Sequence, residues 1–533
     1  LITCDTSLHS AAQSGTKKAW AWGVSQDAHI QLTRAPYTFQ GIIDGNSEQL
    51  ETGRMVSGIP VFGHAKLSSL CVEDIILVVF ADLKVFGEQI LKQIAGYGAF
   101  QVTAPVDYWL QQDIDVMLSS LKNLFPLGKA ASHPSKLANN RILLALPNLF
   151  KGGADRQMVL LAIALAKLDY EVLFYTYGND AEGTNEWQMW LQEAGVNRVS
   201  SPQIRQLEYS SLIVNGERLD KYFPPRFASM LVSLIDVQKM FSPFLSIGFL
   251  DNMNVLLGLS TLFTQCGELI LSARSQAPAE VPGFVTMAPF QVMKELYLHI
   301  LQSQRATMVC NSPTGRTSYL RWLDATEIEL GCIENAVYLE PTELSPIRSE
   351  LSIGATDLLV CGVMRLIESK RPMDFVEAVH KAHLKNSDIF AVIVGDGPLF
   401  SEVSALIESL NAQGYIKMAG LQESALPYLA VSDAFLHTSC VEGTANVLLE
   451  AQAMGVPVFA YESDETRHAV NKTELFLCED GNTTAMSELI SDKLVYRRDK
   501  KGADGTDFED ALRMAKDYLA QTKRNIKARP TNE

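Results

Sequence analysis

Short apolar runs recur along the chain, and most are followed by a stretch whose apolar positions return with helical spacing. Strands and helices therefore alternate almost throughout, which predicts an α/β fold with parallel sheets covered by helices. The clearest buried strands are Ile142–Leu146, Leu358–Cys361, Phe390–Val394 and Val456–Ala460. Helices are expected over Met158–Leu168, after Pro372, over Val447–Met454 with Gly455 as its stop, and over an amphipathic tail, Phe508–Ile526.

The punctuation divides this pattern into blocks. An N-terminal block, 1–125, carries strand-like runs in the order Ala19–Gly23, Gly41–Asp44, Gly58–Val61 and Asp74–Phe80. The loop after its first strand has one glycine where a dinucleotide fingerprint needs three, so a structural or partner-binding role is favoured over a nucleotide site. A Pro-, Gly- and Ser-rich segment, 126–140, reads as a linker. Two further α/β blocks follow, 141–343 and 344–500, and then a helical tail, 501–533.

Composition narrows the function classes. The 533 residues carry a formal charge of −16 and 47% hydrophobic residues, enough for well-buried cores. An acidic chain has no nucleic-acid footprint. The eight cysteines are scattered with no Cys-x-x-Cys pair, which indicates neither a zinc site nor a disulfide framework and fits a reducing cytosol. No apolar run approaches the ~18 residues that a membrane helix needs, although contact with a membrane surface stays compatible with the chain. It begins at Leu1 rather than Met, which leaves room for a preceding native or targeting segment. Asp113-Ile-Asp115 fits a bare Asp-x-Asp metal pattern but reads as a solvated helix start, and no metal or cofactor is expected.

The chemistry concentrates in four places. Glu442 and Glu450 stand with seven residues between them, the first in a loop and the second inside the Val447–Met454 helix. Gly443, Thr444, Ala445, Asn446 and Val447 fall at the start of that helix, where unpaired N–H groups and the positive dipole end favour a phosphate or sugar hydroxyl. Asn446 and Glu450 lie one turn apart and can face one cleft. Arg365 and Lys370 follow the strand Leu358–Cys361 at the open carboxyl end of a sheet, where α/β folds collect ligands. As fixed cations they would stabilise negative charge that develops on a bound ligand. Gly152 and Gly153 precede a helix and let the backbone approach an anion. Gly395–Pro398 reads as a tight turn after a buried strand, and His437 as a satisfied core or rim histidine.

The segment Ser439–Pro457 resembles the retaining family-four glycosyltransferases of GT-B fold, whose signature is Glu, seven residues and Glu before a Gly-Val-Pro-Val strand. Gly-x-x-Arg-x-x-x-x-Lys at 362–370 and Gly-Gly-Ala-Asp-Arg at 152–156 resemble further motifs of that family. The resemblance implies two facing Rossmann-like domains plus an N-terminal Rossmann-like accessory domain, and a tail helix that crosses back onto the other domain. It also implies retaining, metal-independent transfer from a nucleotide-sugar, most commonly a UDP-sugar. The implied hexosyl or N-acetylhexosaminyl transfer goes to a glycan, lipid-linked or protein acceptor in surface-glycan assembly, in the cytoplasm or at the inner face of the membrane. In that scheme Glu442 positions the donor sugar, Glu450 the ribose, and Arg365 and Lys370 the diphosphate. Gly152 and Gly153 lie near the diphosphate, closure hinges around the 340s, and Arg274, Asp251 and Asn252 are acceptor-side candidates. Two departures stand out: Tyr461–Glu465 replaces a Gly-Gly turn, and no histidine occurs in Gly248–Asn254. The alternatives are a noncatalytic GT-B module that binds a glycan or partner, and a sugar-nucleotide epimerase. Oligomeric state is open.

Overall fold

The computed structural model describes residues 8, 11–12, 14–22, 39–43, 55–56, 59–62, 64–79, 91–97, 99–103, 114–127, 140–149, 152–177, 186–200, 213–219, 222–223, 225–281, 290–303, 305–325, 327–340, 346–496 and 506–527. They form two compact units, Leu1–Met117 with Leu212–Ser229, and Leu118–Ser211 with Met230–Glu533.

The first unit holds a sheet of β1 (Lys18–Trp22), β2 (Phe39–Ile43), β3 (Met55–Val56), β4 (Ile59–Phe62), β5 (Ile75–Val79) and β6 (Gln101–Thr103) in the order β3-β4-β2-β1-β5-β6. All its pairings are parallel except β3 with β4. The parallel strands thus run third, second, first, fourth, fifth, a Rossmann-type order. Trp20, Trp22, Ile43 and Leu77 fill one face and Ala19, Ala21, Ile42 and Val78 the other. Asp113 lies outside the described residues, and Asp115 is exposed in the first turn of the helix Ile114–Leu124. Among the described residues no group of three His, Cys, Asp or Glu could hold a metal ion.

The second unit contains two lobes, each built on a parallel sheet. The first lobe begins with β7 (Arg141–Leu146), α1 (Gly153–Lys167), β8 (Glu171–Thr176), α2 (Glu186–Glu193) and β9 (Asn197–Ser200). A short hairpin of β10 (Ile213–Val214) and β11 (Glu217–Arg218) belongs to the first unit. The lobe resumes with β12 (Leu245–Phe249), α3 (Asp251–Thr264), β13 (Glu268–Ala273), α4 (Phe290–Leu301), β14 (Ala306–Cys310), α5 (Pro313–Leu323) and β15 (Leu330–Cys332). Its strand order is β15-β14-β13-β12-β7-β8-β9, with every pairing parallel. The second lobe has β16 (Leu358–Val363), α6 (Pro372–Lys385), β17 (Ile389–Val394), β18 (Ile416–Gly420), β19 (Ala434–His437), α7 (Asn446–Ala453), β20 (Val458–Tyr461), α8 (Asp464–Ala469) and β21 (Leu475–Cys478). Its order is β18-β17-β16-β19-β20-β21, again all parallel. Helices cover both faces of such sheets, which is why the central strands read as unbroken apolar runs rather than alternating ones.

Two boundaries differ from the sequence expectation for local reasons. α1 starts at Gly153, five residues before Met158, because the Asp155 carboxylate reaches back to accept from the Gly152 N–H at 3.3 Å and closes the first turn. Gly455, at φ +64°, ends α7, and Val456-Pro457 then only approach the sheet before β20 begins at Val458. The linker residues 128–139 and the hinge residues 341–345 lie outside the described residues.

The tail helix α9 (Glu509–Lys527) packs on the first lobe rather than on the second lobe that precedes it. Ala511, Met514, Ala515 and Tyr518 recur at i, i+3, i+4 and i+7, all buried within that lobe's core. Asp510 in its first turn accepts from the Val337 N–H at 2.7 Å, which fixes the crossing point.

Candidate functional site

A cavity of about 830 Å³ opens between the carboxyl ends of the two lobes' sheets. The second lobe lines it with the loop after β16 (Val363–Arg365 and Lys370), the Gly395–Gly397 turn after β17, Leu421–Leu426 after β18, and the segment from His437 to Glu450. The first lobe contributes Gly152–Ala154, Arg156, Trp187, Arg274, Asn311, Asn335 and Glu340. Strand carboxyl ends at a switch in strand order are where open α/β sheets form ligand crevices.

Two helices begin at this cavity. α1 starts at Gly153 and α7 at Asn446, and they face each other: the Asn446 amide donates to the Gly153 carbonyl at 2.9 Å. Both positive helix ends, with their unpaired N–H groups, favour an anion there. Asn446 Oδ1 also accepts from Asn335 Nδ2 at 2.7 Å and from Gln157 Nε2 at 3.2 Å, and Asn335 Nδ2 reaches the Thr444 carbonyl at 3.1 Å. Gly443 is buried at the same crossing. A side chain there would place its Cβ 2.5 Å from Asn311 Oδ1 and 2.8 Å from the Arg274 carbonyl, so only glycine lets the loop approach.

The charges fall into distinct settings. Lys370, on a 3₁₀ turn (Glu368–Lys370), forms an ion pair with Glu442, and the Thr438 hydroxyl holds the Lys370 carbonyl at 2.8 Å. Burial alone would raise the Glu442 carboxyl, but Lys370 and His437 outweigh it and pull its pKa below the ordinary 4.5. Glu442 is thus a carboxylate at neutral pH, able to accept from hydroxyls but not to act as an acid. Arg365 is exposed at the cavity wall and forms no ion pair among the described residues. Across the cleft Arg156 forms an ion pair with Glu450, donates to the Tyr338 carbonyl at 2.6 Å and lies 3.8 Å from Glu340.

His437 stands 3.9 Å from Glu442 and is buried. Burial pushes its pKa from the ordinary 6.5 down to about 4; Glu442 pulls the other way and Lys370 adds to the fall. The imidazole stays neutral in the folded chain while the unfolded chain takes up a proton. It therefore contributes stability that is complete above about pH 6.5 and is lost as pH falls towards about 4. His437→Asn should flatten urea-unfolding stability as pH falls from 6.5 towards 5. A wild-type slope retained in the variant would mean that another group carries it.

Of the residues singled out from sequence, Glu442, Arg365, Lys370, Gly152, Gly153, Thr444, Ala445, Asn446, Val447, Glu450 and Arg274 all line the cavity. Gly443 does not; it forms the packed support described above. Asp251 and Asn252 are also absent from the lining of this cavity. Asp251 is buried in the first turn of α3, where its Oδ1 accepts from the hydroxyls of Tyr297 at 2.7 Å and Tyr319 at 2.5 Å. Tyr461–Glu465 stays outside the large cavity: Ser463 caps α8 by accepting from the Thr466 N–H at 3.1 Å. Arg156 escaped the sequence reading although it stood in the Gly-Gly-Ala-Asp-Arg motif, and so did Asn311 and Asn335. Trp187 and Leu421–Leu426 had no signal.

Residues 345–500 match the family model for glycosyl transferases group 1. Among curated proteins, the chain is 28% identical over 170 residues to N-acetyl-alpha-D-glucosaminyl L-malate synthase of Bacillus anthracis, covering 31% of this chain and 44% of that one. It is 27% identical over 198 residues to the lipopolysaccharide core biosynthesis glycosyltransferase LpsE of Rhizobium meliloti, covering 36% and 56%. The chain thus spans about half the length of the curated relatives it matches. Among solved structures, HepE of Anabaena in complex with UDP and glucose superposes with a TM-score of 0.53 at 18% identity, over 72% of this chain and 99% of that one. The glycosyltransferase WaaG of lipopolysaccharide biosynthesis superposes with a TM-score of 0.50 at 15% identity, over 74% and 100%. The two lobes are a GT-B fold.

Proposed function

We propose, from the premise that residues 345–500 belong to the glycosyl transferases group 1 family, that this chain moves a sugar from a nucleotide-sugar to an acceptor hydroxyl with retention at the anomeric carbon. The observation that carries the reading is the cavity wall itself: Arg365 without an ion pair among the described residues, Lys370 pinned beside Glu442, and two helix N-termini facing the same space. That arrangement fits a diphosphate with a sugar next to it. Arg365, Lys370 and the amides near Asn446 and Val447 take the diphosphate charge, Glu442 accepts from donor-sugar hydroxyls, and Glu450 accepts from the ribose. The acceptor hydroxyl attacks on the face from which the diphosphate leaves; its oxygen bonds to the anomeric carbon, the bond to phosphate oxygen breaks, and that oxygen takes the proton. Protein cations supply the electrostatic stabilisation, so the scheme needs no metal. UDP is the favoured nucleotide, supported by the UDP-bound HepE structure. A hexosyl or N-acetylhexosaminyl donor, a glycan, lipid-linked or protein acceptor, and action at the cytoplasmic face of a membrane complete the reading.

A noncatalytic binding module on the same fold is the second reading, and the Arg156–Glu450 ion pair favours it, because it engages the carboxylate assigned to ribose. Thermal unfolding against UDP, GDP, ADP and CMP separates the two. A nucleotide at about a hundred times its dissociation constant should add about 2.7 kcal/mol of stability. The expected result is a shift with UDP that disappears in Glu450→Ala; no shift with any nucleotide sinks the transferase reading.

A further inference from the structure

Four basic side chains line the cavity, and three of them have an evident counterpart. Arg156 pairs with Glu450, Lys370 pairs with Glu442, and Arg365 faces the space assigned to the diphosphate. Arg274, just beyond β13 on the opposite lobe from Arg365 and Lys370, has no carboxylate partner among the described residues. Its guanidinium donates to Asn335 Oδ1, to Ser272 Oγ at 3.4 Å and to the Tyr518 hydroxyl at 3.4 Å, and it lies 4.3 Å from the ring centroid of Phe249. Its Nε has no hydrogen-bond partner among the described residues. All these neighbours are neutral. Burial lowers the guanidinium's pKa, yet an arginine stays cationic.

A desolvated cation held only by neutral groups is costly unless a counter-charge arrives. The location says where the counter-charge belongs. The Arg274 backbone abuts Gly443, the residue next to Glu442, and Asn335 joins the guanidinium to the start of α7. Arg274 therefore stands across the cleft from the diphosphate cations and next to the loop that holds the donor sugar.

We propose that Arg274 binds an anionic group, phosphate or carboxylate, carried by the acceptor. This assignment rests on the transferase reading above and narrows its acceptor to an anionic molecule. The planar guanidinium fork suits either oxyanion.

The test uses the full chain saturated with UDP, so that the diphosphate side is occupied, and three probes of one carbon skeleton: glycerol 3-phosphate, glycerate and glycerol. Thermal unfolding should shift upward with glycerol 3-phosphate or glycerate, which also tells phosphate from carboxylate, and should not respond to glycerol. Arg274→Gln should remove the anion shift while UDP affinity changes by no more than about twofold, and Arg274→Lys should keep part of it. If Arg274→Gln fails to fold, the Lys variant and the anion-against-glycerol contrast in the wild type decide. No anion shift in the wild type, or an equal shift in Arg274→Gln, overturns the assignment. So does a fall of about tenfold or more in UDP affinity, which would give Arg274 to the diphosphate. UDP binding without an anion response sinks this assignment alone; no binding of UDP, GDP, ADP or CMP sinks the transferase reading and this assignment with it.

Discussion

Lys370→Ala is expected to lower kcat for sugar transfer by about two to three orders of magnitude, in line with removal of one preorganised charge from a developing anion. The donor diphosphate gains charge as its bond to the sugar breaks, and a fixed cation stabilises that state more than the bound ground state. Lys370 is fixed twice over, by the Thr438 hydroxyl on its carbonyl and by Glu442 on its ammonium group. Because the interaction strengthens in the transition state, the loss should fall mainly on kcat and less on donor KM. Removing the lysine also leaves the Glu442 carboxylate without its ion-pair partner, so the rate loss has to be separated from a change in the fold. Wild-type unfolding behaviour in Lys370→Ala, together with partial recovery of the rate in Lys370→Arg, which restores a cation beside Glu442, assigns the loss to the missing charge. Steady-state rates at saturating donor check this. A loss smaller than about tenfold would move the transition-state charge to Arg365 alone.

The legible parts of this site were those whose geometry is local. Glu442 and Glu450 are tied by one loop and one short helix, so their spacing already places both at the cleft. Arg365 and Lys370 follow a strand by a few residues, and the strand's apolar run marks its carboxyl end. The tail helix was legible too, because the buried positions 511, 514, 515 and 518 repeat with helical period. What stayed hidden depends on partners far along the chain. Asp251 has the look of a site residue, an acid just past a buried strand, but hydroxyls 46 and 68 residues away absorb its charge. Glu450 shows the reverse: its ion pair comes from Arg156, 294 residues earlier, and no local pattern announces a contact made only when two lobes meet. Asn335 and Asn446 likewise acquire their linking role only through that crossing.

The same crossing makes Tyr518 the most consequential side chain of the tail. It is fully buried in the first lobe's core, its ring lies 6.2 Å from that of Phe249, and its hydroxyl is 2.7 Å from Ser272 Oγ and within reach of Arg274. Tyr518→Ala deletes a large aromatic from a packed interior and leaves Ser272 and Arg274 without that partner, so a loss of about 3–5 kcal/mol is expected. Tyr518→Phe keeps the ring and removes only the hydroxyl, which should cost about 1 kcal/mol. Urea unfolding of the two variants separates packing from hydrogen bonding. The sequence order makes the result informative: the tail follows the second lobe yet supplies core to the first, so destabilisation in Tyr518→Ala should spread to β12 and β13, whose amides should lose hydrogen-exchange protection ahead of those in β16 and β17. Equal loss of protection in both lobes would mean that they unfold as one cooperative unit, with α9 as a strap across it. A change below about 1 kcal/mol in Tyr518→Ala would show that the helix docks without contributing to the core.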